Sequence, residues 1–347
     1  MKIQQIKLPA FILLAAALFF SCRKSPNQKP SQPPSQAPDG WTRIATTAGL
    51  RIFSLETADN VIYAGSNTGV IYTSMDGGLQ WSALNPVKPG AYIMAIAVFN
   101  SKLYAGTYDE GIFVSSDHGK TWTKEEFVFP PVSSFAVWNN RLYCSSSFEG
   151  VYVLDETNGS WMIFDSKGQP TNYSLDVEKV IPAGESLLSA QGPNGTFYSY
   201  KPAAKQWQEG YYSGNIVAGS YASDMIYDQA TIFAAGNFHG PAIIRSTDGG
   251  ANWAFDTVGL KRFRGAAGEL LAEQWARFVY AGSKKYYSLF NTGSGTWIQQ
   301  KDRPSPVGKT WVANTAFLPL DGMTYAIREL NGKLFLATDE GIYMKGM

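Results

Sequence analysis

The feature that most constrains this chain is a repeat of 40 to 46 residues punctuated by tryptophan. Trp41, Trp81, Trp122, Trp161, Trp207, Trp253 and Trp297 stand 40, 41, 39, 46, 46 and 44 residues apart. Ahead of most of them runs the same pattern: an apolar stretch ending in small residues, a short loop with Gly, a second apolar stretch and a turn. Val61-Ile62-Tyr63-Ala64-Gly65, then Gly69-Val70-Ile71-Tyr72, is the first copy, and Leu103-Tyr104-Ala105-Gly106, then Gly111-Ile112-Phe113-Val114, is the second. Runs of four or five apolar residues rich in β-branched and aromatic types read as buried strands. Helical solenoids of similar period require long stripes of 3.6-residue periodicity, which the sequence lacks. A period near 40 to 45 residues is that of one four-stranded propeller blade.

Copies continue from Leu142, Leu187, Ile232, Phe278 and Leu334. The last reaches Gly341-Ile342-Tyr343-Met344 and stops at Met347 before any turn or Trp. Asp39-Gly40-Trp41-Thr42-Arg43-Ile44, at the other end, reads as the missing turn and fourth strand. The expected fold is therefore all-β: a seven-bladed β-propeller of four-stranded antiparallel blades, closed by an N-terminal strand in the last blade. Such closure leaves only short sheet edges exposed.

Three turns share a tighter motif: Ser74-Met75-Asp76-Gly77-Gly78-Leu79-Gln80-Trp81, Ser115 through Asp117 and Gly119 to Trp122, and Ser246 through Asp248 and Gly250 to Trp253. They resemble the Asp-box, Ser-x-Asp-x-Gly-x-Thr-Trp, of a propeller superfamily that includes bacterial sialidases, sortilin-like receptors, xyloglucan-cleaving propellers and a photosystem II assembly factor. Degenerate copies are read at Leu154 to Trp161 and Asn291 to Trp297. The residue types suit a structural turn. A carboxylate accepts from nearby turn amides, Gly reaches positive φ, and Trp gives a large face to pack between sheets. Asp76, Trp81, Asp117, Trp122, Asp248 and Trp253 are accordingly read as fold determinants. The resemblance implies that these turns lie away from the ligand face.

Ahead of the repeats, Lys2 and Lys7 flank an apolar run from Leu8 to Phe20, followed by Ser21-Cys22. The run is short for a membrane span and reads as a cleaved signal peptide over residues 1–21. Its end resembles a bacterial lipobox, which makes Cys22 the lipidated first residue of the mature chain. The Pro-, Gln- and Ser-rich stretch 22–38 cannot bury enough apolar surface to order itself and reads as a tether, spanning about 50 Å if extended. Residues 39–347 form the head. The residue directly after Cys22 is Arg23 and not Asp, which fits delivery to the outer membrane. With Cys22 used for the anchor, Cys144 is left alone in an apolar strand pattern and reads as an inert buried thiol.

Charge and motif content narrow the function. Five of the 29 basic residues and none of the 28 acidic ones precede Asp39, so the head is mildly acidic and lacks the basic footprint of a nucleic-acid binder. Two histidines, His118 and His239, exclude a multi-histidine zinc site. No nucleophile elbow, Walker loop or dinucleotide loop occurs. A sialidase would carry Arg-Ile-Pro where this chain has Arg51-Ile52-Phe53, and six blades where this chain reads as seven. Neither a catalytic residue, a metal nor a cofactor is assigned.

The expected ligand surface is the face shared by the loops between second and third strands and by the connections between blades. Those loops carry Tyr108, Asp109 and Glu110, Phe148 and Glu149, Phe238 and His239, Lys284 and Lys285, and Asp339 and Glu340. The connections carry Tyr211 and Tyr212, Arg262 and Arg264 beside Lys261, and a long excursion from Lys301 to Gly322 around Trp311. Aromatics beside polar groups suit sugar stacking or protein contact. The reading is a cell-envelope lipoprotein that binds a glycan or protein through this face. The alternative is a glycoside hydrolase or lyase working with loop carboxylates, and a third reading is an assembly factor for a membrane complex.

Overall fold

The computed structural model describes residues 40–126, 130–147, 149–165, 167, 177–191, 196–212, 221–237, 243–256, 258–260, 275–292, 295–303, 310–318 and 323–347. Residues 37–347 belong to one unit. The signal, Cys22 and tether assignments lie outside the described residues.

Strand formation follows the hairpin chemistry. In the first blade Ile52–Ala58 pairs antiparallel with Val61–Ser66 across Asp59-Asn60, whose φ angles are +50° and +63°. Two central residues of positive φ make the tight turn whose twist matches paired strands. Asn100-Ser101, Asn139-Asn140, Gln229-Ala230 and Asn331-Gly332 repeat this conformation in the second, third, fifth and seventh blades. Each hairpin then adds a third and an outer strand. The first blade is completed by Ile71–Ser74 and Ser82–Ala83.

Seven sheets result. The second spans Ile93–Phe99 to Thr123–Lys124, the third Phe135–Trp138 to Ser160–Ile163, and the fourth Val177–Ala183 to Gln206–Glu209. The fifth runs from Tyr221–Asp228 to Asn252–Phe255 and gains a fifth strand, Tyr211–Tyr212, parallel to its outer edge. The sixth runs from Trp275–Ala281 to Val312–Leu318. The seventh takes three strands from Thr324–Leu330, Lys333–Thr338 and Gly341–Gly346, and its outer strand, Thr42–Arg43, from the N-terminal side. Thr42 faces Met344 and Arg43 faces Tyr343. The Arg43 guanidinium also donates to the Glu340 carbonyl at 2.6 and 3.0 Å, and Ile44 N–H to the Ile342 carbonyl at 2.8 Å. The expected closure is thus present.

The core is a set of wedges between sheets. Seven buried apolar clusters each draw on two successive blades, including one joining the seventh to the first. Alternate residues of one strand face opposite neighbours. Ile62 and Ala64 pack toward the seventh blade, Tyr63 toward the second. Both sheet faces are therefore buried, which explains strands that are apolar without interruption.

The Ser-x-Asp turns seal these wedges. Asp76 Oδ1 accepts from Ser74 Oγ (2.8 Å), Leu79 N–H (3.0 Å) and Gln80 N–H (2.9 Å). Asp117 and Asp248 repeat the arrangement with Ser115 and Ser246. Each tryptophan then meets the preceding blade. Trp253 stacks on Phe197 with centroids 4.2 Å apart, and Trp81 meets Phe335 edge-on at 6.2 Å.

The sixth blade departs from the expected register by one strand. Phe278-Val279-Tyr280-Ala281 belongs to the inner strand, paired with Tyr286–Leu289. Asn291 to Trp297 spans the hairpin that pairs Thr292 with Gly295, so it is no counterpart of the Ser-x-Asp turns. The residue that precedes the sixth outer strand is Trp311, which lies in the cluster joining the fifth and sixth blades. Among the described side chains, Trp311 is the tryptophan of the wedge between the fifth and sixth blades. The Lys301 to Gly322 excursion correspondingly contains the end of the third strand and the whole outer strand.

Candidate functional site

Each inner strand starts at the same face of the ring, and six of the seven carry a register shift within their first residues: at Phe53, Met94, Glu178, Ser223, Arg277 and Tyr325. A bulge re-aims the side chain it carries. The loops between second and third strands come to this face and are tied to the residue ahead of the inner strand. Asn67 N–H donates to the Arg51 carbonyl (2.9 Å), Tyr108 N–H to that of Tyr92 (3.0 Å), and Asp339 N–H to that of Met323 (3.0 Å). Serine or threonine closes these loops from inside. Ser66, Thr107 and Thr338 hydroxyls donate to the carbonyls of Val70, Gly111 and Gly341.

On the seventh, first and second blades these elements bring four aromatic rings together. Tyr325 and Phe53 lie 4.9 Å apart edge-to-face, Phe53 and Tyr92 5.2 Å apart, and Tyr92 and Tyr108 6.3 Å apart. All four side chains are half-buried. Beside them Arg51 Nε meets Asp339 Oδ1 at 2.5 Å, and the guanidinium lies 5.9 Å from the centroid of Phe53. Asp339 is held further by the Tyr325 hydroxyl (2.7 Å) and the Met323 N–H (2.8 Å). The Arg51 N–H donates to Asn67 Oδ1 at 3.2 Å. The result is an apolar arc flanked by a fixed, charge-neutral Arg–Asp pair.

Of the expected ligand residues, the structure brings Tyr108 into this arc and sets Asp339 beside it. Asp109 is exposed next to Tyr108. Glu110 turns to Lys124 (3.0 Å), whose ammonium holds its carboxyl below the usual range. Glu149 accepts from the Tyr152 hydroxyl, and burial raises its pKa. Glu340 accepts from the Tyr343 hydroxyl at 3.2 Å.

Other assignments change. Lys284 lies between the inner and second strands of the sixth blade and Lys285 opens the second strand, both at the face opposite the arc, as the one-strand shift requires. Lys285 pairs there with Asp302 at 3.3 Å. Trp311 is 1% exposed, because it fills the wedge between the fifth and sixth blades and donates to Asp256 Oδ2 at 3.1 Å. Its ring is not a surface contact. The backbone of Tyr211 and Tyr212 forms the added edge strand, paired in parallel with Asn252 and Trp253. Phe148, Phe238, His239, Arg262 and Arg264 lie outside the described residues. Cys144 is fully buried, and burial drives its thiol pKa well up.

Arg51, Phe53, Tyr92 and Tyr325 were missed by the sequence reading. A signal for them exists: each immediately precedes an inner strand or sits on its bulge, in equivalent places of successive repeats.

The architecture is that of a β-propeller of seven blades. Residues 23–147 match the DUF6242 beta propeller domain. No curated protein sequence matches the chain. Among solved structures it resembles the extracellular domain of the putative one component system BT4673 from B. thetaiotaomicron, with a TM-score of 0.65 at 14% identity over 88% of this chain. The match takes up 40% of that larger protein. It resembles YCF48 from Cyanidioschyzon merolae equally, with a TM-score of 0.65 at 14% identity over 89% of this chain and 98% of YCF48. A structure of YCF48 bound to D1 peptide superposes with a TM-score of 0.64 at 12% identity, covering 89% of this chain and 97% of that one. Identities this low carry the fold and nothing finer.

Proposed function

We propose that this chain is a cell-envelope lipoprotein of the Asp-box repeat type, with a signal peptide over 1–21, a lipid anchor at Cys22, a tether to residue 38 and a propeller head from 39 to 347. The head is a non-catalytic module that recognises a glycan or protein partner at the face where the inner strands begin. One observation carries this reading: the half-buried aromatic arc of Tyr325, Phe53, Tyr92 and Tyr108 with its neutral Arg51–Asp339 flank. Half-buried rings beside fixed polar groups are the material of a recognition surface.

The glycosidase alternative needs two carboxylates facing a common bond. Here Glu110, Glu149, Asp339 and Glu340 are each engaged by a neighbour of their own. The propellers of similar fold include an extracellular domain and one solved with a peptide bound, in keeping with a binding role.

The full chain in mild detergent, applied to glycan and peptide arrays and then incubated with each captured ligand, is expected to bind without releasing product, and Cys22→Ser is expected to abolish incorporation of labelled palmitate. Accumulation of new reducing or unsaturated sugar ends would overturn the non-catalytic reading.

A further inference from the structure

The chemistry of the arc narrows the class of ligand, given the proposal that this face binds. The Arg51 guanidinium is fixed through Nε by Asp339, and its side chain remains 39% exposed. Among the described residues its terminal nitrogens have no partner, and neither do the hydroxyls of Tyr92 and Tyr108. Asp339 is fixed from three sides and is itself 20% exposed. Donor and acceptor therefore stand side by side, held before any ligand arrives, against a contiguous aromatic surface.

A peptide recognised by charge would meet a surface of one sign, and the arc has none, because Arg51 and Asp339 cancel. A peptide recognised as an added strand would need a free sheet edge. At the arc, the second and third strands of the first and second blades are paired on each side, and the inner strands, whose other edge is open, are broken there by register shifts at Phe53, Met94 and Tyr325 that interrupt a regular ladder. A sugar ring meets every condition. Its axial C–H groups present an apolar face to an aromatic ring. Its neighbouring hydroxyls each donate and accept, matching a planar guanidinium beside a carboxylate. Because the groups are already held in place, little ordering entropy opposes binding.

We infer that the arc is a carbohydrate site for the hexopyranose units of a neutral glycan. Tyr92 and Tyr108 stack on the sugar rings, and Arg51 with Asp339 hydrogen-bonds adjacent hydroxyls. Phe53 and Tyr325, packed edge-to-face on one another, support the platform.

The test is native electrophoresis of the full chain in neutral detergent, through gels containing a β-glucan, a galactan, a mannan or a xylan, with a polyuronate as the charged comparison. At least one neutral polysaccharide retards the chain. Tyr92→Ala and Tyr108→Ala weaken that retardation about tenfold or more, as loss of a principal contact does. Arg51→Gln weakens it as well, and Tyr92→Phe keeps most of it. Tyr227→Ala, exposed at the opposite end of the fifth inner strand, leaves it unchanged. Unchanged thermal midpoints show that the variants fold. Retardation by the polyuronate alone overturns neutral-glycan recognition. Retardation by none of the polysaccharides, with peptide-array capture that depends on Tyr92, overturns the sugar class and leaves the face as the binding surface. Polysaccharide binding that ignores Tyr92, Tyr108 and Arg51 overturns the site and the face together.

Discussion

Two adjacent glycines offer an internal comparison of what the turns require. Gly77 and Gly78 both lie in the left-handed region, at φ +70° and +84°. A side chain at either pays about 1–2 kcal/mol for that conformation. Their surroundings differ. A Cβ on Gly77 would come no closer than 3.5 Å to the Asn331 side chain, ordinary contact. A Cβ on Gly78 would lie 2.3 Å from Cε1 and 2.6 Å from Cζ of Phe335, a ring with no exposed surface in the wedge between the seventh and first blades. Overpacking of this kind adds roughly 1–3 kcal/mol. Gly77→Ala should therefore lose about 1–2 kcal/mol and Gly78→Ala about 2–5 kcal/mol. The second blade has already made the first substitution: His118 holds φ +60° where the first has Gly77, while Gly119 is retained against Leu84, 2.5 Å from its would-be Cβ. Urea unfolding of the two variants, compared at constant slope, measures the difference. Equal losses would refute the argument that close approach between blades, beyond backbone conformation, fixes the second glycine.

Two further outcomes follow from charged groups. Lys301, 1% exposed, meets Asp256 at 2.8 and 3.1 Å, with the Phe233 and Trp311 rings each 5.6 Å from its ammonium. Lys301→Met should cost about 3–5 kcal/mol by leaving the buried Asp256 carboxylate only the Trp311 indole and Arg245 Nε 3.8 Å away, whereas Lys301→Met with Asp256→Leu should recover most of that loss; a double variant as unstable as the single in thermal or urea unfolding would count against this. Hydrogen bonds lower the pKa values of Asp76 (chiefly from Gln80 N–H) and Asp117 (chiefly from the Thr121 side chain), and at Asp248 those from Asn252 and Ser246 outweigh an opposing desolvation. Groups depressed in the folded state stabilise above their unfolded value and lose that contribution as pH falls through the folded one, so stability should hold from neutrality to about pH 4 and decline below it. The decline should be shallower in the triple Asp→Asn variant, and an unchanged acid limb would exclude these turns as its source.

Much of the fold was legible because propeller blades bury both faces. Buried strands read as short apolar runs, and the wedge tryptophans mark the period. Closure could be read because the seventh repeat lacks what Trp41 to Arg43 supplies. The sixth blade misled for a physical reason. It has no Ser-x-Asp turn, and its first hairpin uses the wider Gly282–Lys285 connection instead of a two-residue turn. Its inner strand, Phe278-Val279-Tyr280-Ala281, then looks like a second strand followed by Gly. The turn dipeptides Asp59-Asn60, Asn100-Ser101, Asn139-Asn140 and Asn331-Gly332 would have marked the inner strands of other blades and shown the sixth to be different. The site was less legible, because its rings come from three blades and from bulges. A bulge is a mismatch between paired strands, and one strand's sequence does not display it.

The sixth blade also shows what the repeated turn contributes, by how it manages without one. At two seams the residue that follows the outer strand faces the next blade. Leu84 packs on Gly119, and Gly210 lets Gly250 and Trp253 approach so closely that a Cβ there would lie 2.4 Å from the Gly250 carbonyl. Between the fifth and sixth blades that residue is Asp256, and it meets Lys301 and the Trp311 indole in place of a glycine. An ion pair with an indole donor fills the volume that close backbone approach fills elsewhere. The Asp and Ser side chains of the turns are used up in bonds within their own loops, so the turn end of the ring is committed to holding blades together. At the other end, loop closure needs only a Ser or Thr and a Gly, as in Thr107 to Gly111 and Thr338 to Gly341. Residues between those fixed points, Tyr108 among them, are released from structural duty. That asymmetry is the physical reason to look for recognition at the arc.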